Sequence, residues 1–423
     1  MYLRKLLWIL FIFLPLALGA ETLLELQKEL LRNNPEISAA RNRYLAVTKV
    51  AIQEGTLPDP AISFTDFGVG HPFSTLNASD FAYRGIGVSQ DFPFPGKLSL
   101  RSQVAKKSAE AAQQELRATE IRLLSELKTS VVEQFYLQRA LEIQAKYREL
   151  LDHLIETSEA RYRVGEGLQQ DVLRAMVERS SIEEKLLLLR QDLERESSAI
   201  NALLSRDVSA PLKAEGDFPA LRPVPEFEAL VQKLSEQAPE VVVRRKQEEQ
   251  SQLQLRLAKK ERYPDFTTTF QWQKTGSEFP DYYMTMVEAR IPLYFWRKQK
   301  SAIAQAQLEL KAIQDQTKAT LLRLLNELKQ AYVTATTTAT LTKLYNEGIV
   351  PQSRLSLESA LSAYQVGKIE FVSVLNNATT LLNYENESLR RSADHGKAIA
   401  RIEQVTGTLL DPQESAMIKE LEP

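Results

Sequence analysis

From Lys97 to Arg163 the chain runs without a proline or a glycine, and it does so again from Arg297 to Glu347. Both stretches therefore lack the two residues that most readily end a helix. Apolar residues recur there and nearby at helical steps of three and four: Ala140, Ile143, Tyr147, Leu150 and Leu154; Ile182, Leu186, Leu189 and Leu193; Leu321, Leu324 and Leu328. Each series lays one apolar stripe along a helix, as in coiled-coil packing. At 1.5 Å per residue the first stretch alone reaches about 100 Å, which a compact globule does not hold. Such helices must fold back as hairpins, and Gly165 and Gly367 stand where a C-capping glycine reverses the chain. A total of 15 glycines in 423 residues argues in the same direction, against a fold of many strands and turns.

The same series of signals occurs twice. "NNPEI" at 33–37 reads against "QAPEV" at 237–241, "LPDP" at 57–60 against "YPDF" at 263–266, and "ARYRVGEGLQQDVL" at 160–173 against "SAYQVGKIEFVSVL" at 362–375. The offsets, 204, 206 and 202, make the pairing collinear, as in an internal duplication. Each half reads helix, two strands, very long helix, tight turn, helix. The expected organisation is a first repeat at 21–210, a Pro-rich crossover at 211–225, a second repeat at 226–407 and a C-terminal tail at 408–423. Pro211, Pro219, Pro223 and Pro225 make the crossover an irregular segment.

Residues 1–20 read as a secretory signal peptide: Arg4 and Lys5 precede an apolar run from Leu6 to Leu18 that closes on Gly19 and Ala20. That run is short for a membrane span of about 20 residues, and no later segment approaches one. Any membrane span of the exported chain must then consist of strands. Between Pro264 and Pro292 the period does change to two. Phe266, Thr268, Phe270 and Trp272 alternate with Thr267, Thr269, Gln271 and Gln273, and Tyr283, Val287, Ala289 and Ile291 with Met284, Met286, Glu288 and Arg290. Ile62, Phe64, Ile86, Val88 and Phe92 repeat the pattern less cleanly in the first half. Apolar-out, polar-in alternation over about ten residues suits a transmembrane barrel strand. Trp272, and Tyr294, Phe295 and Trp296 ahead of Arg297 and Lys298, suit a membrane-interface belt. Four strands cannot close a barrel, and an open edge is not tolerated in lipid, so the chain must oligomerise. Two copies give about eight strands with a filled interior; three give about twelve, with room for a conduit.

Other classes are disfavoured. With 53 basic and 55 acidic residues, the chain has no basic excess for nucleic acid. It has no cysteine, hence no disulfide, thiolate site or Cys nucleophile. No motif for metal-dependent, serine or phosphate chemistry occurs, so no catalytic residue, cofactor or structural metal is expected. His71, His153 and His395 are scattered, and Met284 and Met286, although spaced for a soft cation, read better as lumen or packing residues. Asp59 and Asp265, each after a proline, read as turn and cap residues.

Signal peptide, duplicated halves, four strands and long hairpins together resemble the TolC family of outer-membrane efflux proteins over nearly the whole mature chain. The tip motif Tyr-x-Val-Gly, at Tyr162–Gly165 and Tyr364–Gly367, is typical of that family. "SQDFPFPGKLSLR" at 89–101 resembles its heavy-metal branch, the CusC and CzcC type. The resemblance implies a mainly α protein with a small membrane β part. Three protomers with four strands each would form a twelve-stranded transmembrane barrel, continued by a coiled-coil helical barrel across the periplasm of a Gram-negative bacterium. It implies a homotrimer working with a periplasmic adaptor (membrane fusion protein) and an inner-membrane pump of the RND type. Outer-membrane lipid would surround the barrel, and the cargo would be heavy-metal cations. Drug efflux and type I protein secretion are alternatives within the family; a periplasmic coiled-coil adaptor is the rival outside it. Many members of the heavy-metal branch carry a lipidated N-terminal cysteine, and this chain has none.

By the same resemblance, the periplasmic tip is a gate held by a tyrosine, an aspartate and basic partners. Tyr364 matches the gate tyrosine and Asp171 the aspartate of the first repeat. Ser373 and Asn376 stand where the best-known member has ring aspartates, and Ile369 where it has an arginine. The expected tip set is Tyr162, Val164, Gly165, Glu166, Asp171, Tyr364, Val366, Gly367, Glu370, Ser373 and Asn376, with Glu166, Asp171 or Glu370 able to supply an acidic ring in threefold copy.

Overall fold

The computed structural model describes residues 22–73, 76, 79–212, 221–414 and 416. The expected signal peptide lies outside the described residues, as do parts of the expected crossover and tail.

The first half runs α1 (Leu23–Asn33), α2 (Pro35–Gly55), β1 (Ala61–Phe67), β2 (Tyr83–Phe92), α3 (Lys97–Arg163) and α4 (Gln169–Leu203). The second runs α5 (Phe227–Gln237), α6 (Pro239–Lys260), β3 (Asp265–Lys274), β4 (Tyr282–Arg290), α7 (Lys298–Leu344), a π-helical turn (Tyr345–Ile349), α8 (Val350–Gln365) and α9 (Phe371–Thr406). The single helix expected ahead of each strand pair is two helices. Asn34 ends α1 in extended backbone, and its Oδ1 then accepts the Glu36 and Ile37 amides at 2.9 and 3.3 Å to start α2. Pro35 and Pro239 occupy first-turn positions where no amide hydrogen is needed.

Duplication extends to side-chain pairs. Leu26, Leu30 and Ile37 enter a core with Leu124 and Leu127 of α3, while Leu230, Leu234 and Val241 enter a matching core with Leu324 and Leu328 of α7. Glu36 pairs with Arg122, which also reaches Glu126 at 2.8 Å. Glu240 pairs with Arg323, which also reaches Glu327 at 2.7 Å. A third core, with Tyr147, Leu154, Ile182, Leu357, Tyr364 and Phe371 among its members, joins the two hairpins towards their turns.

The strands form one antiparallel sheet in the order β1-β2-β3-β4, so the two halves meet between β2 and β3. Its register places Phe64, Ile86, Trp272 and Tyr283 in one row on one face. Ser63, Gly87, Gln271 and Met284 form the neighbouring row on the other. The apolar row is exposed throughout. β4 ends at Arg290, so Ile291 falls beyond the strand to which its spacing assigned it. β1 and β4 each leave one edge unpaired. Among the described residues no helix is long and apolar enough to cross a membrane.

Where helices become strands, Lys97 at the start of α3 is buried, its side chain 1% exposed. Its Nζ lies 2.9 Å from Asp265 Oδ1, 3.0 Å from Glu261 Oε2 and 3.2 Å from the Tyr263 carbonyl. Asp265 Oδ1 also accepts the Phe94 amide at 2.7 Å, and the Phe94 ring stacks on Tyr263 at 4.6 Å. Gly96 precedes Lys97 with φ +87°, and a Cβ there would stand 2.4 Å from Lys260 Nζ. Asp265 is therefore not a simple turn residue: it receives a buried cation from the other half of the chain.

Candidate functional site: the hairpin tips

Both hairpins turn in the same way. The Gly165 amide donates to the Tyr162 carbonyl at 3.0 Å and the Glu166 amide to the Arg161 carbonyl at 2.9 Å. At the other tip Gly367 donates to Tyr364 at 2.9 Å and Lys368 to Ala363 at 2.9 Å. These paired bonds are Schellman motifs, which need a residue with positive φ just after the helix. Gly165 has φ +81° and Gly367 φ +71°. A Cβ on Gly165 would meet nothing within 4 Å, so it is backbone conformation that calls for glycine there.

Around that shared backbone the side chains part company. Tyr162 is 48% exposed, whereas Tyr364, at the same place in the motif, is 6% exposed. The Tyr364 ring meets Phe371 edge-on at 5.8 Å, and its hydroxyl lies 3.5 Å from Ser158 Oγ. Arg161 stacks its guanidinium over the same ring at 4.8 Å and donates from Nη1 to the Tyr364 carbonyl at 2.6 Å. The first hairpin thus holds the turn of the second through one arginine. Further from the turns, the Tyr147 hydroxyl and Thr379 Oγ1 are 3.0 Å apart. Burial pushes the Tyr147 phenol up to about 12, and the Thr379 bond offsets part of that.

Val164, Val366, Glu166, Glu370, Ser373 and Asn376 are exposed. Asp171 lies in the first turn of α4, and Glu370 immediately precedes α9. Both carboxylates therefore sit at the electropositive end of a helix that returns from a turn. Among the described residues Asp171 makes no ion pair. Ile369 packs against the core shared by the hairpins. No arginine stands there, yet Arg161 supplies a cation to Tyr364. Its one local clue is an arginine in the last helical turn before Gly165.

The four aromatic residues assigned to the membrane interface fall into two places. Trp272 lies in the Phe64–Tyr283 row, six strand positions beyond Phe266. Tyr294, Phe295 and Trp296 follow β4 at the helical end, with Trp296 edge-on to the other two rings at 6.2 and 5.2 Å. Aromatic residues thus stand towards both ends of the exposed apolar face, as interfacial girdles do.

The sequence profile of the family described as "Outer membrane efflux protein" matches residues 26–206 and 230–408. The cobalt-zinc-cadmium resistance protein CzcC of Cupriavidus metallidurans is 22% identical over 318 residues, 74% of each chain. Outer membrane protein TolC of Vibrio cholerae is 22% identical over 409 residues, 93% of this chain and 92% of that one. Among solved structures, the outer membrane protein VceC of Vibrio cholerae superposes with a TM-score of 0.77 at 19% identity, covering 92% of this chain and 97% of that one. With its sheet, its hairpins and both repeats matched, the chain belongs to the outer membrane efflux protein family.

Proposed function

We propose that the protein is the exit channel of a tripartite efflux system for heavy-metal cations. The single observation that carries the channel reading is the sheet. Its four strands bear an exposed apolar face and two unpaired edges, at the end of helices far too long for a globule. Lipid accepts such a sheet only when it is closed, and joining β4 of one copy to β1 of the next closes it. Three copies give about twelve strands and a conduit. The hairpins would then continue the conduit to a mouth held by Tyr364 and Arg161, where a periplasmic adaptor and an RND-type inner-membrane pump deliver cargo.

The resistance function in the name of the Cupriavidus metallidurans relative and the segment Ser89–Arg101 support metal cargo. Among the described residues there is no group of three or more His, Asp or Glu side chains able to hold a metal ion. A cation would be drawn by the carboxylates of Glu166, Asp171 and Glu370 at the mouth. The test is growth of the source strain without this gene on graded zinc, cobalt, cadmium and copper, and on hydrophobic drugs. Metal sensitivity restored by the gene supports the reading. Sensitivity to drugs alone overturns the cargo assignment and leaves the channel.

A further inference from the structure

The two long helical runs differ in one respect that bears on how the mouth opens. α3 is an unbroken helix of 67 residues, whereas its counterpart consists of 47 residues of α7, a five-residue π turn and 16 residues of α8. The buried stripe of α7 steps by four and three through Leu324, Leu328, Ala331, Ala335, Thr338 and Thr342. Continued at that period it would arrive at 356, 359 and 363. The buried residues of α8 are Leu357, Ala360 and Tyr364, each one position later. The second run thus carries one extra residue between Thr342 and Leu357, and the π turn absorbs it. It keeps Tyr364 on the buried side.

That turn is locally weak. The Val350 amide reaches back to the Tyr345 carbonyl, five residues away, and Pro351 brings no amide to the ladder. A cleft of about 510 Å³ lies beside it, lined by Tyr147 and Leu150 of α3, Asn346 of the turn, Val350 and Leu357 of α8 and Leu382 of α9. Two contacts cross from α9 near this level: Ser388 Oγ to Asn346 Oδ1 at 2.6 Å, and Arg354 to Glu385 at 2.6 Å. The first hairpin has no such interruption.

We infer that the π turn at Tyr345–Ile349 is the pivot on which α8 and the tip of the second hairpin swing away from Arg161, the cleft providing the room. This rests on the reading of the tip as a gate. Below the pivot α8 moves with the start of α9, and above it α7 stays in the core that it shares with α5, α6 and the end of α9.

The test compares two variants of the intact protein. Deleting Gly348 removes the extra residue and restores a continuous stripe; Gly348→Ala keeps the length, and a Cβ there meets only Leu344 Cδ1 at 4.0 Å. Each is combined with Tyr364→Phe, and single-channel conductance is read in planar bilayers beside amide exchange of the purified protein. The inference expects Tyr364→Phe to raise conductance in the native-length and Gly348→Ala proteins, but to change it by less than about twofold in the deletion. It also expects amides 345–350 to exchange at least about tenfold faster than amides 143–148 of α3 in the native protein. Equal protection of the two segments, or undiminished opening in a deletion variant that still inserts in the membrane, overturns the pivot. Absence of any conductance from the native protein counts against the channel instead. A deletion variant that does not insert leaves amide exchange of the native protein to decide.

Discussion

Tyr162 and Tyr364 occupy the same place in the same four-residue motif, each above a glycine in the same Schellman turn, yet one is half exposed and the other buried. The long helices begin with a similar contrast: Lys97 is buried among carboxylates, whereas Lys298 is exposed. Duplication has preserved backbone chemistry and divided the labour of the side chains. The first repeat supplies the pin at the junction of helix and sheet, and the second supplies the buried tyrosine at the hairpin tips. Repetition of a motif therefore reports how a chain turns, not which copy carries a function.

The largest expected effect breaks the contrast at the junction. Lys97→Met takes the buried cation from Asp265, leaves Glu261 only Arg101 at 3.4 Å, and should destabilise the protein by about 3 kcal/mol, while Lys298→Met should change little. Urea midpoints of the purified variants check both, and equal losses would erase the distinction. Next comes the mouth. Tyr364→Ala opens a void against Phe371 and should cost about 3 kcal/mol at the tip, with raised resting conductance, whereas Tyr162→Ala should stay within about 0.5 kcal/mol and leave conductance unchanged. Arg161→Ala ranks below it. Loss of the stacked guanidinium and its bond to the Tyr364 carbonyl should cost about 1–2 kcal/mol. Conductance should rise less than for Tyr364→Ala, and no change in it would show that Tyr364 holds the tip without Arg161.

The smallest effect concerns four charges that tie α3 to α6. The hydrogen bond from Lys246 holds the Glu110 carboxyl below its ordinary value, and the hydrogen bond from Lys107 does the same for Glu249. Carboxyls depressed in the folded state contribute stability that is present above about pH 4.5 and lost as pH falls through their lowered values. Glu110→Gln should lower the melting temperature slightly near neutrality, where that contribution is present, and leave it unchanged at low pH, so that the acid limb of the profile flattens.

Local signals in the sequence reach some of this and not the rest. The helical runs, both turns and the strand alternation were legible because helix breakers, positive-φ glycines and period two act over a few residues. The phase shift between Thr342 and Leu357 was also present as spacing, but beyond Leu328 the stripe passes to alanines and threonines, which stand out little from their neighbours. Arg161 and Lys97 were not legible: each reads as an ordinary solvated charge until the fold brings Tyr364 or Asp265 to it from well over a hundred residues away. The split at Asn34 was masked because Pro35 suits a helix's first turn as well as it suits a break.

Closure of the free edges of β1 and β4 by other copies within the outer membrane is read out by native mass measurement on the protein extracted from separated membrane and periplasmic fractions. A trimer, recovered from the outer membrane, is the expected result. A monomer in the soluble periplasmic fraction would contradict it.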